Sequence, residues 1–229
     1  TGADAIKFQI ANPEEVYSDD AFKANYQKQN DKSKTILEMS KNLQISRGDH
    51  YKLKQRCKKR GIIYSCSAFD LGSLTFLDKN LNIPFFKIPS GEINSIDMIE
   101  YIAKTEKKIF LSTGMSTFEE IGKAVKRLKK FGNKKITLLH CVSSYPAKKE
   151  HINLNVLKTL KKKFNLDVGY SDHTIGDEMC LAAVAMGSKV IEKHVTTSIN
   201  QRGPDHNASM EFKDFKSMVD KIRKLDVAL

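Results

Sequence analysis

The sequence predicts an α/β fold on a parallel sheet, specifically a (β/α)₈ TIM barrel that lacks its first strand and helix. Short apolar runs alternate with longer amphipathic segments along the chain, which is typical of strands alternating with helices in a parallel sheet. Seven strands can be counted, one fewer than a closed barrel needs. No GxGxxG or GxxxxGK[ST] phosphate loop follows an early strand, which disfavours an open doubly wound sheet.

The predicted strands are residues 3–9, 62–68, 85–88, 108–112, 135–141, 167–170 and 190–194. The predicted helices are residues 47–59, 71–81, 96–104, 117–131, 154–164, 177–186 and 213–225. The polar stretch 12–34 has little periodicity and predicts a long, partly irregular loop. Because the chain begins on a strand and ends on a helix, we expect residues 1–229 to form a single barrel domain that is truncated at its N-terminus.

Composition narrows the class of protein. A chain of 229 residues nearly fills one barrel of about 250 residues. No apolar run approaches the roughly 18 residues of a membrane span, and no targeting signal opens the sequence. The four cysteines are scattered without a CxxC pair, so neither a disulfide framework nor a zinc ribbon is indicated. We therefore expect a cytoplasmic protein without a membrane partner.

The formal net charge of +12 raises the question of a nucleic-acid partner. Most of the lysines lie on the polar faces of predicted helices, as in 126–135 and 158–164. The basic runs lack interleaved aromatic residues for base stacking. A solvated helix surface is favoured and no nucleic acid is expected, with a basic binding module kept as the alternative.

Polar side chains stand at the end of every predicted strand, where a barrel places its active site. Helix capping explains some of the serines, but not all seven strand ends. The residues are Lys7 and Gln9; Ser65, Ser67 and Asp70; Lys87, Ser90 and Glu92; Ser112 and Thr113; His140, Ser143, Ser144 and Tyr145; Ser171, Asp172 and His173; and Glu192, Lys193 and His194.

Lys7 and Lys87 end otherwise apolar strands. Together with nearby serines they could hold a phosphate or a carboxylate through charge-assisted hydrogen bonds. A single lysine of this kind is as easily explained by a side chain that reaches solvent. Two at equivalent strand ends favour an anion site.

His173 and His194 follow two successive strands within the stretch 169–210. Neighbouring strands lie ~5 Å apart, so the two imidazoles could share one metal ion; each alone would be read as a structural histidine. His140 is expected in the core, and His50 and His151 at the surface. The loop 202–210, with Asp205, is either a turn or a substrate contact.

Several motifs together resemble the barrel domain of the sialic acid synthases, which include N-acetylneuraminate and legionaminate synthases and spore-coat polysaccharide enzymes. The resemblance spans nearly the whole chain. The motifs, in order, are KFQ at 7–9, FKIPSGE at 86–92, LSTGM at 111–115, LHCVSSYPA at 139–147, GYSDHT at 169–174, EKH at 192–194 and GPDHNAS at 203–209.

The resemblance implies roles for individual residues. Lys7, Lys87 and Glu92 would be catalytic, and His173 and His194 would bind a divalent metal, manganese, with magnesium as the alternative. The implied phosphoenolpyruvate set is Lys7, Lys87, Ser90, Ser112 and Ser171, with Ser67 and Ser143 where members have threonine or asparagine. The implied amino-sugar contacts are Glu92, Tyr145, Asp205 and, more weakly, Gln9.

The implied reaction condenses phosphoenolpyruvate with an N-acetylated hexose aldehyde to give a nonulosonic acid and phosphate. The family's first strand, with an acidic site residue, has no counterpart here, and neither does its C-terminal antifreeze-like domain, which completes the partner's site in a swapped homodimer. We therefore expect this fragment alone to be inactive. The alternatives are a deoxyheptulosonate-type synthase, which the GPDHNAS loop disfavours, and a non-catalytic anion- or nucleic-acid-binding module.

Overall fold

The structure is a computed structural model that describes residues 1–229. The strands are β1 (Ala5–Ile10), β2 (Ile63–Ala68), β3 (Phe85–Ile88), β4 (Lys108–Ser112), β5 (Ile136–Cys141), β6 (Asp167–Asp172), β7 (Ile191–Lys193), β8 (Val195–Thr196) and β9 (Met210–Glu211). The helices are α1 (Pro13–Val16), α2 (Asn25–Asn30), α3 (Ile36–Leu43), α4 (Arg47–Lys59), α5 (Leu71–Thr75), α6 (Ile96–Ala103), α7 (Phe118–Lys130), α8 (Val156–Phe164), α9 (Glu178–Ala185) and α10 (Phe212–Ala228).

All strand pairs are parallel, which confirms the α/β class. β1 pairs with β2, the five strands β3 to β7 pair in sequence order, and β8 pairs with β9. The whole array is curled, because Lys7 Nζ on β1 lies 3.9 Å from Glu192 Oε2 on β7. Seven strands in a flat sheet would hold these strands roughly 29 Å apart at a spacing of about 4.8 Å. The hydrogen-bonded ladder does not form one closed ring, so the eight-stranded barrel stays a prediction.

Alternating side chains give each strand of the curled sheet two different faces. Phe86, Ile88, Ile109 and Leu111 are buried and belong to the hydrophobic core, which the helices cover from outside. The intervening residues face the interior of the curl. Lys87 of β3 is one of these interior residues, and it pairs in register with Phe110 of β4. The interior face therefore carries most of the polar strand positions that the sequence singles out, while His140, Asp172 and Lys193 lie on the opposite face.

The seven predicted strands are present, and α4 has the predicted bounds. Two predictions about helices and loops need correction, and one helix was not predicted. The stretch 12–34 holds α1 and α2, and α3, which was not predicted, begins after the N-cap Thr35, whose side chain accepts a hydrogen bond from Glu38 N. The segment predicted as one helix at 71–81 is α5 followed by a π-helical turn at Phe76–Asn80. These elements are short, so hydrophobic periodicity has too few turns to reveal them.

His50 was predicted at the surface, and that prediction is wrong. Its ring is fully buried, and Nδ1 lies 2.7 Å from the Tyr64 hydroxyl on β2. The reason is helical spacing: His50, Leu53 and Cys57 fall on one face of α4, the face that packs against the sheet. His140, as expected, is buried beneath the sheet with Nε2 2.6 Å from Ile152 O. No helix of the protein combines the length and apolar character required to cross a membrane.

Candidate functional site

The interior of the curled sheet brings predicted site residues from non-adjacent strands together. Lys87 and Ser112 lie on the same face of β3 and β4. Cys141, Ser171 and Glu192 continue that face through β5, β6 and β7, since Cys141 pairs with Ser171 and Ser171 with Glu192. These five polar strand positions therefore converge on one face of the sheet.

Glu192 is at the centre of the cluster. Its Oε1 accepts hydrogen bonds from Lys87 Nζ at 3.0 Å and from Ser171 Oγ at 2.8 Å. Its Oε2 lies 3.9 Å from Lys7 Nζ. One carboxylate thus connects three residues predicted to bind phosphoenolpyruvate.

The charge states in the cluster follow from burial and pairing. Burial alone would raise the pKa of the Glu192 carboxyl, but Lys87 and Lys7 outweigh it and hold that pKa well below its usual range. Burial lowers the pKa of the Lys7 ammonium, with Glu192 opposing the shift. With Glu192 ionised and paired to Lys87, the cluster contains two lysines and one carboxylate. This excess of basic groups favours the binding of an anion.

Several serine hydroxyls in the cluster have no partner. Ser65, Ser67 and Ser112 are each at most 3 % exposed, and none of their Oγ atoms makes a hydrogen bond. Ser65 and Ser67 pair in register with Lys7 and Gln9 on β1. Buried hydroxyls without partners are costly, so a ligand that accepts their hydrogen bonds would be favoured here.

Ser90 and Ser143, from two different loops, also meet. Their Oγ atoms lie 3.3 Å apart. Gly114 passes beside Ser143, where an added Cβ would come within 2.7 Å of Ser143 Oγ and of Cys141 Sγ. Glycine is required there to let the loop after β4 approach the loop after β5.

His173 and His194 are adjacent, as predicted. Their ring centroids lie 5.3 Å apart at an interplanar angle of 85°. His173 Nδ1 is 2.6 Å from Val142 O, so Nδ1 carries the proton and Nε2 keeps its lone pair. Metal-binding histidines commonly donate a hydrogen bond from one ring nitrogen to a carbonyl in this way and bind the metal through the other nitrogen.

Both imidazoles are neutral at physiological pH. Burial lowers the pKa of His173, opposed by its bond to the Val142 carbonyl. Burial, and then the nearby His173 and Lys7, lower the pKa of His194 to about 3. Neutral imidazole is the form that binds metals. No three His, Cys, Asp or Glu side chains lie together in a metal-binding arrangement, so further ligands would come from substrate or water.

Tyr145 and Asp205 flank the histidine pair. The Tyr145 ring centroid lies 4.3 Å from that of His173 and 5.7 Å from that of His194. Asp205 Oδ2 lies 3.7 Å from His194 Nδ1, beyond hydrogen-bond distance. Burial raises the pKa of the Asp205 carboxyl, while His206 and Lys7 oppose the rise.

A buried ion pair supports the site from the opposite face of β6 and β7. Lys193 Nζ lies 2.6 Å from Asp172 Oδ2, and both side chains are at most 1 % exposed. Asp172 Oδ1 also accepts hydrogen bonds from the Tyr170 hydroxyl and from Thr174 N, each at 2.9 Å. Because these residues alternate with Ser171, His173, Glu192 and His194, the pair fixes which way the site side chains point.

Two predicted residues lie apart from this cluster. Glu92 accepts a hydrogen bond from Ser95 Oγ and borders a groove with Glu15 and Asp70, and it shares no hydrogen bond or ion pair with the lysines or histidines. Gln9 is exposed at the outer end of β1, one step beyond Lys7 on the same face.

Glu192 is one of the polar strand ends in the sequence but is not in the predicted binding set. A signal was available: Glu192 and His194 are two residues apart on one strand, so they share a face. Tyr26, whose ring centroid lies 5.3 Å from that of Tyr145, is not predictable from the sequence because it lies in the stretch predicted as irregular loop.

Comparisons with known proteins show which family and fold the chain resembles. A family model described as the NeuB family matches residues 1–229. An N,N'-diacetyllegionaminic acid synthase of Campylobacter jejuni is 44 % identical over 234 residues, covering 100 % of this chain and 69 % of that protein. An uncharacterized protein of Methanocaldococcus jannaschii is 43 % identical over all of this chain, which spans 64 % of that protein. The crystal structure of a sialic acid synthetase from Leptospira borgpetersenii superposes with a TM-score of 0.86 at 34 % identity, over 97 % of this chain and 73 % of that one.

Proposed function

Since this chain belongs to the NeuB family, we propose that the protein condenses phosphoenolpyruvate with the open-chain aldehyde of an N-acetylated amino sugar, giving a nonulosonic acid and phosphate. The acceptor is N-acetylmannosamine or a 2,4-diacetamido-6-deoxy analogue. In this reaction C3 of the enol phosphate bonds to the aldehyde carbon, water adds at C2, and the tetrahedral intermediate loses inorganic phosphate.

The observation that carries the proposal is the interior anion site. Lys7 and Lys87 converge there from β1 and β3, and the buried Ser67 and Ser112 hydroxyls have no partner. A phosphate offers enough acceptor oxygens for both ammonium groups and both hydroxyls. The same positive charges would stabilise the phosphate as it leaves.

The histidine pair supports a divalent metal, for which manganese is our proposal. His173 and His194 would hold it through their neutral imidazoles. When bound, such an ion would polarise the sugar aldehyde as a Lewis acid. The Val142 carbonyl fixes the His173 ring, and the ring of Tyr145 packs against it.

We propose that the acceptor sugar binds between Tyr145 and Asp205. Both lie next to the histidine pair, which would place the aldehyde beside the enol phosphate. Holding two reactants in this relation supplies much of the rate enhancement in condensations of this type. Glu92 and Gln9 remain proposed sugar contacts. The family resemblance supports them, whereas contacts to the cluster do not.

A cytoplasmic homodimer is also part of the proposal. All four cysteines are free and buried, which is compatible with a reducing compartment. The alternative of a basic binding module is not favoured, because it leaves the buried cluster of lysines, serines and histidines without a role.

The decisive experiment is a phosphate-release assay on the complete encoded protein with Mn²⁺ and phosphoenolpyruvate. N-acetylmannosamine and 2,4-diacetamido-2,4,6-trideoxymannose are offered in parallel, and the sugar acid is identified by mass spectrometry. Sugar-dependent phosphate release with either acceptor is expected. Release with neither sugar, by a protein that binds phosphoenolpyruvate, would rule out the proposed reaction.

A further inference from the structure

The segment between β1 and β2 forms part of the wall of the candidate site. Asn30 Nδ2, at the end of α2, donates a hydrogen bond to Pro204 O at 3.1 Å. Asn207 Nδ2 donates to Asn30 Oδ1 at 3.2 Å. Both contacts tie α2 to the loop that carries Asp205, so this helix and loop act as one rim.

Lys23 holds the same segment in place. Its ammonium donates to Asp31 Oδ1 at 2.9 Å, to Asp31 O at 2.8 Å and to Ser33 O at 2.9 Å. Its side chain is only 2 % exposed. All three ammonium protons are used within the segment, so Lys23 serves to fix the turn after α2 rather than to bind substrate.

Tyr26 is the side chain through which α2 reaches the site. The ring centroid of Tyr26 lies 5.3 Å from that of Tyr145, and the ring centroid of Tyr145 lies 4.3 Å from that of His173. Burial, and next the Asp205 carboxylate, raise the pKa of the Tyr26 hydroxyl, in keeping with its place beside that residue. An aromatic wall therefore extends from the histidine pair to the rim.

We propose that Tyr26 determines which acceptor sugar the enzyme uses. The inference rests on the proposed function and extends it to a substrate class. Aromatic faces gain free energy when they cover methyl groups, whereas a sugar hydroxyl held against them loses water without a replacement hydrogen bond. The wall of Tyr26 and Tyr145 therefore selects an aldehyde that carries a second acetamido group and a 6-methyl group over N-acetylmannosamine, which has hydroxyls at both positions.

The test compares kcat/KM for the two acceptors in the complete encoded protein. The wild type is expected to prefer the diacetamido-trideoxy sugar, and Tyr26→Ala is expected to reduce that preference about tenfold, the scale on which apolar pockets discriminate small groups. The change should appear mainly in the KM of the sugar. Tyr26→Phe should keep the preference, because it keeps the ring.

Two further variants separate a specificity role from a purely structural one. Asn30→Ala loosens the rim without removing the ring, so it should raise the KM of both sugars by the same factor. Phe22→Ala is the matched control, since Phe22 is an aromatic residue on the same segment that is 88 % exposed, and it should change neither constant.

The outcomes are distinguishable. An active enzyme whose acceptor preference is unchanged in Tyr26→Ala overturns the inference and leaves the proposed function standing. Weakened phosphoenolpyruvate binding in Tyr26→Ala, measured by calorimetry, also overturns it, because Tyr26 would then support the whole site. A wild-type protein that uses neither sugar defeats the proposed function, and this inference with it.

Discussion

Lys87 on β3 and Glu192 on β7 form an ion pair at 3.0 Å across the interior of the curled sheet. The Lys87 side chain is 7 % exposed and that of Glu192 is 20 % exposed, so the pair is largely shielded from water. The ammonium that should bind the substrate phosphate is thus already paired with a carboxylate. A bound anion must share Lys87 with Glu192.

Neutralising Glu192 should therefore tighten the binding of a simple anion. We expect Glu192→Gln to increase the affinity for inorganic phosphate about threefold to tenfold, because it removes a negative charge beside the ligand while keeping the side-chain shape. Isothermal titration calorimetry measures the change. Glu119→Gln, at an exposed position on α7, is the control; weaker phosphate binding in Glu192→Gln would show that the carboxylate assists the site instead.

Removing the ammonium of Lys87 should have the opposite effect. Lys87→Met keeps most of the aliphatic stem and is expected to weaken phosphoenolpyruvate binding at least about tenfold, since a charge-assisted hydrogen bond is lost. Lys158→Met, at an exposed lysine on α8, removes the same net charge and should have no effect. Equal losses in both variants, or loss of DNA binding in place of phosphoenolpyruvate binding, would favour the non-catalytic basic module.

The histidine pair should bind one divalent ion per chain. Titration with Mn²⁺, followed by the loss of the free-ion electron paramagnetic resonance signal, should saturate at one equivalent. His173→Ala and His194→Ala should each weaken binding more than about tenfold, since each removes one of two protein ligands. His151→Ala, at an exposed histidine, is the control. Unchanged Mn²⁺ binding in both site variants would exclude this metal site.

His50 should make the protein less stable in mild acid. Burial lowers the pKa of His50 below its usual value near 6.5, so on acidification the unfolded chain takes up a proton first. The free energy of unfolding is then constant above about pH 6.5 and falls below it, by up to about 1.4 kcal/mol per pH unit until the folded-state pKa is reached. Urea unfolding at pH 7.5 and 5.5 should show a smaller difference in His50→Gln, and an equal difference would remove His50 as the cause.

The buried pair of Asp172 and Lys193 should behave as a coupled unit. Asp172→Asn or Lys193→Met alone is expected to cost about 3 kcal/mol or more, because each leaves a buried charge without its partner. The double variant should cost clearly less than the sum of the single changes. Urea unfolding measures all three. Additive effects would mean that the two groups stabilise the fold independently.

The sequence alone determined the class of the fold and most of its order. Strands such as β3 and β4 and the helix α4 were predictable because each is a continuous local pattern of apolar periodicity. The polar strand ends were also predictable, because they lie where the apolar patterns end. They include Lys7, Lys87, His173 and His194. Short elements such as α2 and α3 were not predictable, since their stability comes from tertiary contacts rather than from their own periodicity.

Only the tertiary structure decided which of these residues meet. Lys7 and Glu192 come within 3.9 Å because the sheet curls, and a curl is a property of all the strands together that no local pattern encodes. The position of Tyr26 beside Tyr145 also depends on tertiary contacts. The hydrogen bonds of Lys23 fix the turn after α2, and hydrogen bonds from Asn30 and Asn207 join α2 to the loop that carries Asp205. The sequence shows which residue types the site contains, but some of their contacts join segments more than 100 positions apart, as Lys87 with Glu192 and Tyr26 with Tyr145.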